Sequence, residues 1–407
     1  MEYQFSENGV TAAEGFTAAG VHCGVRKNKS KPDLALIACS VPCSAAAVYT
    51  KNLVKGAPLL VTKEHLKSGS ARAVICNSGN ANTCNADGVE KARMMCEAAA
   101  KALKIRPEDV IVASTGVIGQ PLPVEPIVEA MPRLAGELSR GGSLRAAEAI
   151  MTTDTVVKNL SLECVIGGKT VAIGGIAKGS GMIHPNMGTL LCFLTTDAAI
   201  SPAALDKALR AAVDESFNMV SIDGDTSTND TCAILASGLA GNSAIGPDDT
   251  EDLGAFTEAL TCLCTELARR IAKDGEGASR LLVCRVTGAK DKENARKIAK
   301  SVVRSNLFKA ALFGSDANWG RVLCAVGYSG AETDVEKIGV SFSSRAGTIA
   351  VCENGAGIPF SEEAAKKILS EDEVEVDVAL SDGKAEATAF GCDLTYDYVK
   401  INGDYRT

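Results

Sequence analysis

Histidine is nearly absent from this 407-residue chain, which holds only His22, His65 and His184. So few imidazoles make a multi-histidine zinc site unlikely and leave little room for a Ser-His-Asp triad. Aromatic residues reach only 4%, with one tryptophan, and acidic residues outnumber basic ones by 50 to 42, a formal charge of −8. Both facts speak against a nucleic-acid binder, which needs a basic face and stacking platforms. No Cys-x-x-Cys pair occurs, and 15 cysteines in 407 residues fall well below the roughly 8–10% of a disulfide scaffold. No Gly-x-Gly-x-x-Gly follows a strand, and no Gly-x-Ser-x-Gly elbow exists. Gly168-Lys169-Thr170 imitates the end of a phosphate-binding loop, but Glu163 stands where the first glycine is required. No apolar run reaches membrane-spanning length. The start, Met1-Glu2-Tyr3-Gln4, shows neither the basic nor the apolar part of a secretory signal. A reduced, cytoplasmic, soluble protein is expected.

What is present suits a full core: 46% hydrophobic and 23% charged residues. Glycine, 39 of 407, exceeds the usual share of about 7%. Short strands are expected at 34–38, 47–49, 59–62, 71–76 and 109–113, a hairpin at 160–166 and 170–176, and a buried strand at 190–194. Helices fit 89–103, 123–138 and 143–151. Ser201 with Pro202 opens another helix to about Glu215. Leu253, Phe256, Leu260, Cys264, Leu267 and Ile271 recur at helical spacing over 250–273. Strands and helices then alternate, with strands at 281–286, 337–342, 347–352, 373–379 and 385–390 and helices at 291–304 and 361–369. The fold class is α+β, or mixed α/β. A boundary falls in 274–280, dividing a core domain, 1–277, from a C-terminal α/β domain, 278–407.

One chemistry needs no histidine. Gly188-Thr189 lies where a glycine-rich segment meets an apolar strand. A threonine hydroxyl can attack the carbonyl before it, and glycine there adds no side-chain obstruction. The resulting ester hydrolyses and leaves a new α-amine, of ordinary pKa about 7.7–8.0, as base for its own hydroxyl. A plain turn entering a strand is the bland alternative, and for any single Gly-Thr it is the better one.

The surrounding residues bear on that choice. Lys178-Gly179-Ser180-Gly181-Met182-Ile183-His184-Pro185-Asn186-Met187-Gly188-Thr189 strongly resembles the self-cleavage region of the ornithine acetyltransferases of arginine biosynthesis, the ArgJ family. Further blocks agree along the whole chain: 77–82, 114–119, 152–155, 223–230, 274–278, 314–321 and 398–407. Gly188 departs from the alanine usual in the family. The resemblance implies an αββα sandwich core with a smaller C-terminal α/β domain, cut into an α chain (1–188) and a β chain (189–407). It implies an acyltransferase moving acetyl from N2-acetyl-L-ornithine to L-glutamate through an acetyl-Thr189 ester. It leaves open whether acetyl-CoA also donates acetyl, and it implies no metal or other cofactor. The family precedent is a heterotetramer of two α and two β chains.

By the same resemblance Thr189 is nucleophile and cleavage residue, and Thr115 and Gly116 form the oxyanion hole. Thr152, Lys178, Thr189, Glu276, Asn402 and Thr407 contact substrate, with Thr153 an alternative to Thr152. Lys178 suits an α-carboxylate and Glu276 the δ-amine of ornithine. Taken singly, each has a structural alternative: a turn after a strand, a solvated lysine, a loop acid. Asp223-Gly224-Asp225 reads as turn structure, since no bidentate glutamate follows at calcium-loop spacing. His184 reads as structural or cleavage-supporting, and Trp319 as packing. Two other function classes compete, a self-cleaving aminopeptidase or amidase of the same superfamily and an uncleaved binding protein.

Overall fold

The computed structural model of the protein describes residues 3–184 and 190–404. The first part of the chain forms β1 (Phe5–Ser6), β2 (Phe16–Val21), β3 (Leu34–Tyr49), α1 (Ala57–His65), β4 (Ser70–Asn77), α2 (Gly88–Leu103), β5 (Val110–Ser114), α3 (Glu125–Gly136) and α4 (Ser143–Ile150). There follow β6 (Lys158–Ile166), β7 (Lys169–Lys178), β8 (Leu191–Thr196), α5 (Pro202–Glu215), β9 (Thr231–Ala236) and α6 (Thr250–Lys273). Nine strands hydrogen-bond in the order β1-β6-β7-β8-β9-β3-β4-β5, with β2 added alongside β3.

Strand β3 joins two half-sheets. Its first half pairs with β2 and β4, its second with β9, and the β3–β4 register shifts between Ala38 and Cys43. Pro42 lies within that shift, where a residue without an N–H is tolerated. Strict alternation then sorts side chains between layers. Val74, Cys76, Ile111, Ala113, Leu191, Phe193, Ala233 and Leu235 share one inner core, which α4 completes. Ala73, Ile75, Val110 and Val112 face outward under α2 and α3. Cys192, Leu194, Cys232 and Ile234 face outward under α5 and α6. The layers therefore run helix, sheet, sheet, helix, a mixed α/β fold as expected from the sequence and the sandwich that the family resemblance implies.

Segment 59–62 is a correction: it lies in helix α1, not in a strand. A short apolar run cannot be told from a buried helical turn by periodicity, and Pro58 at the helix start is the overlooked signal. The Thr62 hydroxyl donates to the Val112 carbonyl at 2.7 Å and accepts from the Val112 N–H at 2.9 Å, and His65 Nδ1 lies 2.8 Å from the Val110 carbonyl oxygen. Helix α1 thus covers the edge of β5, which would otherwise expose unpaired backbone. The sheet strands at Phe5–Ser6, Phe16–Val21, Thr231–Ala236 and Ala356–Gly357 and the helices at Asn306–Phe313, Trp319–Gly327 and Tyr396–Asp404 were also not read from the sequence.

The rest of the chain forms β10 (Leu281–Ala289), α7 (Lys292–Arg304), α8 (Asn306–Phe313), α9 (Trp319–Gly327), β11 (Gly339–Ser344), β12 (Gly347–Glu353), β13 (Ala356–Gly357), α10 (Glu362–Leu369), β14 (Glu373–Ala379), β15 (Ala385–Cys392) and α11 (Tyr396–Asp404). These strands make a second sheet, β13-β12-β11-β14-β10-β15, over its own core of Val302, Phe308, Phe342 and Val376. Trp319 packs against that core. Leu281, Val283, Phe390 and Cys392 instead join the core beneath α6, and the Ser221 N–H donates to the Phe390 carbonyl at 2.9 Å. The edge formed by β10 and β15 is thereby packed against α6 and the segment 217–221. Most cysteines, among them Cys76, Cys192, Cys264 and Cys284, are buried free thiols. Among the described residues no helix is long and apolar enough to cross a membrane.

Gly174 on β7 faces the inner layer so closely that a Cβ there would lie 1.8 Å from the Gly9 carbonyl oxygen, a backbone atom. Gly174→Ala is expected to cost about 1–3 kcal/mol or more, as overpacking does. Gly246→Ala, with nothing within 4 Å, is the control expected near neutrality. Urea midpoints measure both, and equal midpoints would refute the packing argument.

Candidate functional site

Strands β4 and β5 run parallel, so their C-terminal ends lie together and two loops meet there. The Asn77 amide donates to Ser114 Oγ at 2.7 Å, and Asn77 Oδ1 accepts from the N–H groups of Gly79 and Asn80 at 3.2 and 3.1 Å. The Thr115 N–H donates to the Asn77 carbonyl at 2.9 Å. Gly116 follows with φ +125°, and a Cβ there would fall 2.6–2.8 Å from the backbone of Gly79 and Asn80. Only glycine fits both the conformation and the approach. Asn229, just before β9, ties the two loops together. Its amide donates to the carbonyls of Ala81 and Ser114 at 2.5 and 2.9 Å, and its Oδ1 accepts from the hydroxyls of Thr83 and Thr228, each at 2.6 Å.

Lys178 ends β7, buried, with Nζ 3.5 Å from Thr115 Oγ1. Burial lowers its pKa from the ordinary lysine value, against the pull of Asp154 and with help from Lys158. Behind it, the Lys158 ammonium is fully buried and donates to Asp154 Oδ1 at 2.7 Å, to the Gly179 carbonyl at 3.2 Å and to Asp274 Oδ2. Asp154 Oδ1 also accepts from the Gly179 N–H at 2.7 Å, and Oδ2 from the Thr152 N–H at 3.0 Å. Burial opposes ionisation of Asp154, but Lys158 and then Lys178 hold it well below the usual carboxylate range. Asp274 extends the network by accepting from the N–H of Thr155 at 3.1 Å.

Two residues beyond Asp274, the Glu276 N–H donates to the Ser180 carbonyl at 2.8 Å, and Glu276 Oε2 accepts from the Asn402 amide of α11 at 2.8 Å. Gly181 permits this arrangement, since a Cβ there would lie 2.2 Å from Glu276 Oε2. Thr115, Gly116, Thr152, Thr153, Lys178, Glu276 and Asn402 consequently line one cavity of about 170 Å³. These residues come from segments up to 287 positions apart (115 to 402). A second recess of about 30 Å³ adjoins it, lined by Thr115, Lys178, Ile183, Leu190 and Asp230 among others. A roomier one, about 390 Å³ between Lys273 and Arg345, contains none of these residues. Gly188, Thr189 and Thr407 lie outside the described residues.

The chain leading to 185–189 is held residue by residue. Asp223 Oδ2 accepts from the Met182 N–H at 2.6 Å and Oδ1 from the Ile183 N–H at 2.9 Å. The Ile222 N–H donates to the Ile183 carbonyl at 2.7 Å, and the Thr226 hydroxyl to the His184 carbonyl at 2.9 Å. Met182 takes φ +54°, rare for a residue with a side chain. Asp223 also accepts from the Asp225 N–H at 3.2 Å, the turn bond expected there, and its wider role was not legible. His184 Nδ1 lies 3.0 Å from Ser221 Oγ, and burial, with Lys300 and Arg304 nearby, pushes its pKa down to about 3. A pKa this low leaves the imidazole neutral near pH 7. Asn229, Asp230, Asp154, Lys158 and Asp274 are site-supporting residues that sequence reasoning missed. Their types were visible, but not their partners.

Comparison with known proteins agrees in extent with this frame. A profile described as the ArgJ family matches residues 17–407. The "Arginine biosynthesis bifunctional protein ArgJ 1" of Clostridium acetobutylicum is 50% identical over 98% of this chain and 97% of its own. The "Arginine biosynthesis bifunctional protein ArgJ" of Symbiobacterium thermophilum is 52% identical over 98% of each. A crystal structure of the Bacillus halodurans arginine biosynthesis bifunctional protein argJ is 45% identical, covering 52% of this chain and 97% of that one, with a TM-score of 0.49. The chain belongs to the ArgJ family.

Removing the Lys158 ammonium strands two buried carboxylates. Lys158→Met is expected to lower stability by about 3–5 kcal/mol, read from urea unfolding. The Asp154 carboxyl is depressed in the fold, so its contribution is complete above its unfolded pKa of about 3.9 and fades as pH falls towards the folded value. Asp154→Asn should therefore be less stable than wild type at pH 7, by a margin that narrows below about pH 4. A constant margin across that range would exclude the linkage.

Proposed function

We propose that the protein is an arginine-biosynthesis acyltransferase that moves acetyl from N2-acetyl-L-ornithine to L-glutamate, releasing L-ornithine and forming N-acetyl-L-glutamate. The observation that carries this reading is the convergence of Thr115, Gly116, Lys178, Glu276 and Asn402 on one cavity, in a chain about half identical to proteins named for arginine biosynthesis. Leu190, the residue after Thr189, lines the adjoining recess with Thr115 and Lys178.

In this reading the chain first cuts itself between Gly188 and Thr189 by an N→O acyl shift, giving chains 1–188 and 189–407. The Thr189 α-amine then draws the proton from Thr189 Oγ, which attacks the acetyl carbonyl. The Thr115 hydroxyl and the Gly116 N–H face the oxyanion. Ornithine leaves, and the α-amine of glutamate takes the acetyl group from the ester in the reverse sense. Lys178 pairs with the α-carboxylate common to both amino acids, and Glu276, with Asn402, receives the δ-ammonium of ornithine. Thr152 and Thr407 complete the substrate contacts. No metal or organic cofactor enters these steps. Acetyl-CoA is a second acetyl donor in this reading, in keeping with "bifunctional" in the relatives' names. We place the enzyme in the cytoplasm as a heterotetramer of two α and two β chains, with domains 1–277 and 278–407.

Thr189→Ala is expected to leave one intact mass near 42.0 kDa and to abolish transfer, and retained transfer would exclude Thr189 as nucleophile. Wild type incubated with N-acetylornithine should release ornithine at a rate set by glutamate. Release that ignores glutamate would make the protein a hydrolase of the amidase kind. Acetylglutamate formed from acetyl-CoA alone tests the second donor.

A further inference from the structure

Self-cleavage poses a proton problem that the mature enzyme does not have. Before the cut, the Thr189 nitrogen is part of the Gly188–Thr189 amide and cannot serve as a base. Another group must take the hydroxyl proton and return it to that nitrogen. His184 Nδ1 lies 3.0 Å from Ser221 Oγ, and burial lowers its pKa to about 3, which makes it a weak base for that task.

Asp230 has the required properties. It precedes β9, which runs parallel to β8 with Leu191 opposite Thr231, and the Thr231 N–H donates to the Leu190 carbonyl at 2.9 Å. Asp230 is therefore level with Leu190, next in sequence to Thr189. Its side chain is 3% exposed, lines the recess shared by Leu190, Thr115 and Lys178, and its Oδ2 has no hydrogen-bond partner among the described residues. An orphaned buried carboxyl oxygen is costly and calls for a functional account. Lys178, from β7, is the charged group that faces it, while the hydroxyls of Ser227 and of Thr50, beyond the end of β3, support it. Burial raises its pKa well above the ordinary carboxylate value, which makes its carboxylate a stronger base than an exposed one.

We infer that Asp230 carries the proton from Thr189 Oγ to the Thr189 nitrogen during self-processing. The carboxylate accepts the hydroxyl proton as the bond from Oγ to the Gly188 carbonyl carbon forms. It gives that proton to the nitrogen as the carbon–nitrogen bond breaks. Water then splits the ester into the Gly188 carboxyl and the Thr189 hydroxyl, and Asp230 ends unchanged. The inference rests on the self-processing reading above.

The test follows loss of the intact mass in freshly purified protein across a pH series. Wild-type cleavage is expected to accelerate with pH until the Asp230 carboxyl is ionised. Asp230→Asn should slow it about 100-fold or more, the general range for a lost acid–base group, and flatten the pH dependence. Asp230→Asn cleaving at the wild-type rate with the wild-type pH dependence would overturn the inference. Ser227→Ala keeps the carboxyl but removes a hydroxyl that lowers its pKa, so the rising limb should move to higher pH. A limb that stays in place counts against Asp230 even if Asp230→Asn fails to fold. A wild type that never cleaves would overturn the processing reading itself, and this inference with it.

Discussion

The site is organised around one fully buried ammonium. Lys158 on β6 is held between Asp154 and Asp274 and also grips the Gly179 carbonyl. Those carboxylates belong to the segment before β6 and to the end of α6, so a single cation binds three parts of the chain. A buried ion pair adds little net stability over an apolar substitute. What it supplies here is position. Gly179 follows Lys178, Thr152 donates to Asp154, and Glu276 stands two residues past Asp274. Three walls of the cavity hang from one charge network.

The second organising element is a set of asparagine and aspartate side chains that do the work of backbone. Asn77 and Asn229 lock the loops after β4 and β5, and Asp223 receives the N–H groups of Met182 and Ile183. Loops normally move, and a transfer site needs its donors fixed before charge develops. These side chains satisfy buried polar backbone while giving the loops shapes that no regular element would hold. The C-terminal helix is drawn into the same frame. Asn402 donates to Glu276, and the Tyr398 hydroxyl to Asp223 at 3.3 Å.

Much of the fold was legible from periodicity. The amphipathic helix at Thr250–Lys273 and the hairpin of β6 and β7 were read close to their ends, because repeats of 3.6 and 2 survive any context. Helix α1 was misread, since Leu59–Thr62 is apolar on every side and its hydrogen bonds go to the edge of β5. Strand β9 was missed because it is buried on both faces, so nothing alternates along it. For the site, Thr115, Gly116, Thr152, Lys178, Glu276 and Asn402 could be named from resemblance. Asp154, Lys158, Asn229 and Asp230 could not, because their significance lies in what they touch.

By itself the sequence determined the mixed α/β class, the scarcity of histidine that leaves little room for a zinc site or a triad, and the hydroxyl-bearing Gly188-Thr189 pair as the place where such a chain could react. These are local properties, set by composition, spacing and the chemistry of single residues. Only the tertiary structure decided that six distant residues share a cavity and that one oxygen of Asp230 has no partner among the described residues. The physical reason is that burial and hydrogen bonding are pairwise, and the pairs here, such as Lys158 with Asp274 or Glu276 with Asn402, are more than a hundred residues apart.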